Sequence, residues 1–339
     1  MKAPSVLTAA LLLLAIAPRP AQAWDGGSFY GSAAAADVLS NPFTSPLEFS
    51  PAERQLFLDC ADGRFHQLSL VDAALVAGGV EDLEAIGRYR QLFFAVRDDV
   101  ARQEADVKNP LQQVELIHQV LHERLLRGGY NPNATNLAAT FQTGVYNCAS
   151  ATLLFVALAA EFNIQAQAIE LPGHVRAIVS CGGQRYEIEV TCPVWQEAMR
   201  PIGGSSDEAV STASAGALAA GREISPCGLV AMIYYNRGID AFNERGYAEA
   251  VAANRKALLL DPDNQLARGN LLAAVNNWAL ALCDASRFGE AEMLLAEGEQ
   301  FDPTHAAFVH NALHVRQMWA QSQAAAAAAQ KTGSAMPSL

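Results

Sequence analysis

From Ser50 onward, apolar residues recur every three or four positions in several long segments, and in one region the period drops to two. Ser50-Pro51-Ala52-Glu53 predicts a helix start with proline in the first turn. Helical spacing continues through Leu70 to Ala77, Leu83 to Val100 and Leu111 to Leu126. Gly128-Gly129 stops the last of these helices, and the stretch from Tyr130 to Tyr146, with three Asn and one Pro, predicts mainly loop. After Cys148 comes ASATLLFVALAAEFN, apolar almost all round, which predicts a helix inside a domain. HVRAIVSC and QRYEIEVT then flank Gly182-Gly183 as two β-rich arms, the signal of a tight hairpin. The front half is therefore read as α+β.

From 197 to 225 the chain turns to Gly, Ser and Ala with few charges, which predicts a surface loop or interdomain linker. Residues 226–322 return to helical spacing with an internal echo. Glu249-Ala250 recurs as Glu290-Ala291 and Asp261-Pro262 as Asp302-Pro303, both offset by 41. The predicted organisation is a lead-in over 24–50, an α+β domain over 51–196, the loop over 197–225, a helical domain over 226–322 and a disordered tail over 323–339.

The stretch YYNRGIDAFNERGYAEAVAANRKALLLDP resembles a tetratricopeptide repeat, with Tyr234, Gly238, Tyr247, Ala250, Ala257 and Pro262 at that repeat's signature positions. In the second unit Phe288, Ala291 and Pro303 match, while Gly298 stands where alanine is usual. The offset exceeds the family's period of about 34 by roughly two helical turns, so the helix after Asn264 lengthens without losing its buried face. The resemblance implies an array that packs against the front domain, ends in a capping helix from Thr304 to about Gln321, and offers a surface to a protein partner.

Charge and leader narrow the function classes. Hydrophobic residues are 51% and charged residues 17%, which excludes wholesale disorder, and 23 Lys+Arg against 35 Asp+Glu give −12, which argues against nucleic acid as a partner. Lys2, the apolar run Val6 to Ala17 and Ala21-Gln22-Ala23 predict a signal peptide over 1–23, hence an exported (periplasmic or secreted) protein. That run falls short of the ~20 residues of a membrane span, and no later segment reads as one. Six cysteines are too sparse for a disulfide framework, and a bridge from Cys192 to Cys227 stays open. No CxxC pair and no DxDxDG loop occurs, so neither metal nor cofactor is expected.

Gly144-Val145-Tyr146-Asn147-Cys148 ends a loop and opens the buried helix, which puts the thiol at the positive end of the helix dipole. The Cys148 N–H could hold an oxyanion, with Asn147 or Tyr146 as a further donor. A cysteine in that setting alone more often packs as a small hydrophobe. The hairpin adds the chemistry. Its turn sets His174 opposite Thr191 and Arg176 opposite Glu189, so His174, Glu189 and Glu187 share a face, with Glu189 in reach of His174 and Glu187 beyond it. His118 and His122, four apart on one helix face, lack the glutamate of a zinc protease and read as surface or packing residues. His305, His310 and His314 read as surface residues of the capping helix. Asn133-Ala134-Thr135 fits a glycosylation sequon.

GVYNCAS, LPGHVRAIV and YEIEVT, in that order, resemble the transglutaminase-like superfamily, over roughly residues 110–195. The resemblance implies a papain-like α+β fold with Cys148 as nucleophile, His174 as general base and Glu189 as the carboxylate that orients it. Two residues depart from the family: Glu189 stands where aspartate is more frequent, and Val175-Arg176 where many relatives carry an aromatic residue. The implied activity is a cysteine hydrolase or acyl transferase acting on an amide bond of a protein or peptide. The competing reading is a triad-bearing domain that no longer turns over and serves, with the repeats, as a protein-binding module.

Overall fold

Four helices open the fold, each started by a side chain that accepts from first-turn amides. Ser50 caps α1 (Pro51–Asp59), Ser69 caps α2 (Leu70–Ala77), Asp82 caps α3 (Leu83–Gln103) and Asn109 caps α4 (Pro110–Arg124). The computed structural model describes residues 41–202 and 221–333; the signal-peptide reading and most of the lead-in lie outside the described residues. The region predicted mainly as loop is more ordered than its composition suggests. Two short strands, β1 (Gly129–Tyr130) and β2 (Val145–Tyr146), run parallel, and between them Asn136 caps a helix, α5 (Leu137–Thr143). Gly128 and Gly144 let these strands meet: the Gly128 N–H donates to the Gly144 carbonyl at 2.8 Å, and a Cβ on Gly128 would stand 2.5 Å from the Val145 nitrogen. Any larger residue there would push β1 off β2.

Helix α6 (Cys148–Glu161) follows at once and is buried along every residue from Ala149 to Ala159, as its all-round apolar sequence requires. It lies against a five-stranded antiparallel sheet of β3 (Gln165–Leu171), β4 (His174–Cys181), β5 (Gln184–Ile188), β6 (Met199–Ile202) and β7 (Arg222–Ile224), in the order β6-β5-β4-β3-β7. Val175, Ala177 and Val179 alternate into the shared core, while Ile169, Leu171 and Ile178 form a small cluster apart from it. The β4–β5 register is the one that the Gly182-Gly183 turn predicts, from Cys181↔Gln184 to Ala177↔Ile188, and both glycines take positive φ (60° and 79°). Past Ile188 the ladder stops: the Glu189 N–H donates to Ala198, in the short helix α7 (Trp195–Ala198), and His174 pairs with Leu171 instead of Thr191. The segment predicted as a loop over 197–225 thus supplies both edge strands, β6 and β7, at its two ends. Its middle, 203–220, lies outside the described residues.

Five helices complete the chain: α8 (Pro226–Asn243), α9 (Tyr247–Leu260), α10 (Gln265–Asp284), α11 (Phe288–Phe301) and α12 (Ala306–Gly333). Each packs on the next, and α8 also packs on α10 and α10 on α12, the pattern of stacked helical pairs. The echo of 41 residues is repeated in the backbone. Arg245 and Ser286 take φ of 63° and 61°, and Gly246 and Arg287 donate to Ala241 and Leu282, both at 2.8 Å. Helix α8 packs on α2, α6, β3 and β7, so the two halves share one hydrophobic core. Polar ties reinforce that seam: Tyr234 and Lys256 donate to the Glu53 carboxylate, and Arg222 joins Glu170 to Asp261. Cys227 pairs with Cys60, which overturns the Cys192–Cys227 bridge left open by the sequence. Helix α12 runs through Gly333, beyond the Gln321 end predicted for it, and replaces the first part of the expected disordered tail. Six consecutive alanines from Ala324 carry the best intrinsic helix propensity, and residues 321–330 are all exposed, so propensity sustains this extension without burial. The described fold is α+β.

Gly298 has a packing reason. A Cβ there would stand 2.4 Å from the ring of Phe308, which is fully buried. In the first unit the equivalent pair is Ala257 and Ala267; in the second, Gly298 makes room for the larger Phe308. Gly298→Ala is expected to cost about 1–3 kcal/mol in urea unfolding despite alanine's better helix propensity, because overpacking a filled site outweighs it. A neutral or stabilising result would show that the ring has room to move.

Candidate active site

The capping of α6 decides where Cys148 stands. Asn147 accepts from the Ser150 N–H at 2.9 Å and Ser150 returns the bond to the Asn147 N–H at 3.0 Å, so the helix begins at Cys148. The Cys148 N–H is then one of the amides that a helix start leaves without an intrahelical acceptor. His174 opens β4 immediately after the Pro172-Gly173 turn, and the Cys148 side chain is near enough to raise its pKa. On its other side His174 Nε2 lies 2.7 Å from Glu189 Oε2. The three residues singled out in the sequence therefore meet, with His174 (24% exposed) and Glu189 (23%) half-buried at the edge of the sheet.

The electrostatics follow from these contacts. The hydrogen bond with Cys148, then that with Glu189, raises His174 to about 9 against the effect of burial. Burial pushes Glu189 up, but hydrogen bonds from His174 and Thr191 and the charges of His174 and Arg176 outweigh it and hold the carboxyl at about 2. At neutral pH the ring is thus an imidazolium. Its Nε2 faces Glu189, and Cys148 is the other group that favours the charged ring.

Arg176 is the partner that the sequence placed without giving it a task. Its Nε donates to Glu189 Oε2 at 2.7 Å and its Nη1 pairs with Glu187, which is 3% exposed. Arg176 braces the orienting carboxylate from behind, and Glu187 serves Arg176, not His174. Tyr130 is a site residue that sequence reasoning missed. It is 51% exposed, its ring meets Tyr146 edge-on at 6.3 Å, and its hydroxyl is pushed up by burial and by the charges of Cys148 and Glu189. The β1–β2 register, Tyr130↔Tyr146, puts it there, and the glycines before it and at Gly144 were the available signal.

The two proposed oxyanion donors are otherwise engaged. Asn147 spends its side-chain oxygen on the helix cap and its Nδ2 points to the Pro132 carbonyl at 3.5 Å, while Tyr146 is buried and donates to the Thr191 carbonyl at 3.1 Å. Neither is free to face a substrate, so the Cys148 N–H is the donor that remains of that set. His118 is fully buried, which corrects the surface half of its reading, whereas His310 and His314 are exposed. Among the described residues no group of three His, Cys, Asp or Glu side chains could hold a metal ion, and no helix is long and apolar enough to cross a membrane. Comparison with known proteins gave no match to a family model, a curated protein or a solved structure.

Proposed function

We propose that this chain is an exported transglutaminase-like cysteine hydrolase or acyl transferase acting on an amide bond of a protein or peptide, with its tetratricopeptide-like helices as the docking surface. The observation that carries the reading is a His174 ring set 2.7 Å from Glu189 and raised to about 9 by Cys148 and Glu189 together. In the acylation step the sulfur attacks the carbonyl carbon, the C–N bond breaks, and His174 delivers its proton to the leaving amine. Water or an acceptor amine then attacks the thioester, His174 takes the proton back, and the thiolate leaves. The Cys148 N–H is placed to receive the developing oxyanion. The Cys60–Cys227 pair supports export, since structural disulfides persist in oxidising compartments.

Acylation by p-nitrophenyl acetate tests the chemistry without the natural substrate. The expected result is a burst of nitrophenolate and an acetyl adduct on Cys148 that turns over, both absent from Cys148→Ala. With a peptide anilide in place of the ester, whose leaving amine takes the His174 proton, acylation is expected to slow above a pH of about 9, and Glu189→Gln should move that limb to lower pH because it removes a stabiliser of the imidazolium. Acetylation spread over several residues and indifferent to His174 would leave only the binding-module reading.

A further inference from the structure

After Glu189 the chain leaves the sheet through Val190, Thr191 and Cys192, and each of these three consecutive carbonyls accepts a hydrogen bond from a different aromatic side chain. His122 Nε2 lies 2.9 Å from the Val190 oxygen, the Tyr146 hydroxyl donates to the Thr191 oxygen at 3.1 Å, and His118 Nε2 lies 2.9 Å from the Cys192 oxygen. The donors brace one another. The rings of His118 and His122 stand 4.7 Å apart one turn along α4, His122 meets Tyr146 edge-on at 5.9 Å, and Trp195 closes on His118 at 5.4 Å. Within the same turn the Thr191 N–H and hydroxyl both donate to Glu189 Oε1, while Oε2 faces His174 and Arg176. One oxygen of the orienting carboxylate is thus set by a turn whose backbone is held from α4 and β2, and the other is left to His174 and Arg176.

We propose that His118, His122 and Tyr146 are positioning residues that lock the 190–192 turn, so that Thr191 presents Glu189 to His174 in one geometry. The proposal rests on the Cys148 reading above. Both histidines act as neutral donors: burial, followed by the neighbouring His122, lowers His118 to about 4, and burial lowers His122. Each needs only its Nε2 proton, and His118 Nδ1 is buried with no hydrogen-bond partner, so a second proton there would have nowhere to donate. Placing one buried and one half-buried imidazole against main-chain oxygens is a costly way to fill this space, and phenylalanine would fill it without the requirement for a partner. Their common target is a single turn, the one that holds the carboxylate.

The test follows the His174 ring in the full chain. Its pKa is measured from the imidazole carbon NMR signals, and the rate of Cys148 alkylation by iodoacetamide is recorded across pH, in the wild type and in Tyr146→Phe, His122→Leu and His122→Gln. Tyr146→Phe and His122→Leu are expected to lower the His174 pKa and slow alkylation at about pH 6 by about tenfold, since a loosened second layer misplaces the first. His122→Gln, whose amide N–H reaches about as far as Nε2–H, should restore most of both. Thermal unfolding separates this from general damage: stability loss in all three variants with the wild-type His174 pKa and rate retained overturns the clamp and leaves a structural role. A wild-type protein whose Cys148 reactivity ignores His174 overturns the catalytic reading and this proposal with it.

Discussion

His174→Ala is expected to slow alkylation of Cys148 by iodoacetamide at about pH 6 by roughly a hundredfold. Only the thiolate attacks, and an isolated thiol with an ordinary pKa near 8.5 is under about one per cent thiolate at that pH. In the wild type His174 holds its proton to about 9 with Cys148 among the groups that raise it, so a cation stands near the sulfur. Part of the gain is lost because a thiolate held beside a cation is intrinsically a weaker nucleophile, which is why about two orders of magnitude are expected and not three. The chain carries its own controls. Burial pushes the Cys181 thiol up, and burial with the Asp284 charge does the same to Cys283, so both should label slowly in either protein. Peptide-level mass spectrometry resolves each site. Slow Cys148 labelling of equal rate in both proteins would remove the thiolate–imidazolium pair, and a triad-bearing binding module would be the surviving account.

How much of this arrangement can be read from the chain depends on the range of the interaction. The approach of Arg176 to Glu189 is legible because two adjacent glycines define a two-residue turn that sets the register as far as Ala177↔Ile188, one step short of these side chains. The meeting of Cys148 with His174 has no local signature; it is legible only through the ordered resemblance of three short motifs. Strand β3 escapes a local reading because Gln165–Leu171 mixes Gln and Ala with two aliphatics, and it is a strand because β4 and β7 pair with it on either side. Strands β6 and β7 are shorter still and border a Gly, Ser and Ala-rich stretch whose composition dominates any window drawn over them. The spacing of His118 and His122 shows only that they share a helix face. Their acceptors lie 74 and 68 residues downstream, which no pattern in α4 could indicate. Glu53 behaves in the same way: as a capping-box residue it is legible, as the acceptor for Tyr234 and Lys256 it is not.

Removing the Cys60–Cys227 bridge is expected to be the most destabilising change that leaves the active-site residues intact. The two cysteines are 167 residues apart in sequence, and the bond fastens the end of α1 to the first turn of α8. In the chain-entropy account a cross-link stabilises by shrinking the unfolded ensemble, and for a loop this long the expected contribution is about 5 kcal/mol, with measured losses for native bridges of about 2–5 kcal/mol. The same seam also holds the Glu53 cluster, so part of the contact survives and the lower half of that range applies to equilibrium unfolding of the Cys60→Ser, Cys227→Ser double variant. Cys227 is fully buried and Cys60 nearly so, so reductant should act only after the seam opens, and the native protein should resist dithiothreitol until it is warmed or partly denatured. Thiol counting gives the direct check. Alkylation in denaturant without reductant should modify Cys148, Cys181, Cys192 and Cys283 and spare the pair, whereas modification of all six, or protection of Cys192, would overturn the pairing. The bridge also bears on Cys148. Tying Cys60 to Cys227 in the core keeps both of those sulfurs out of reach of Cys148.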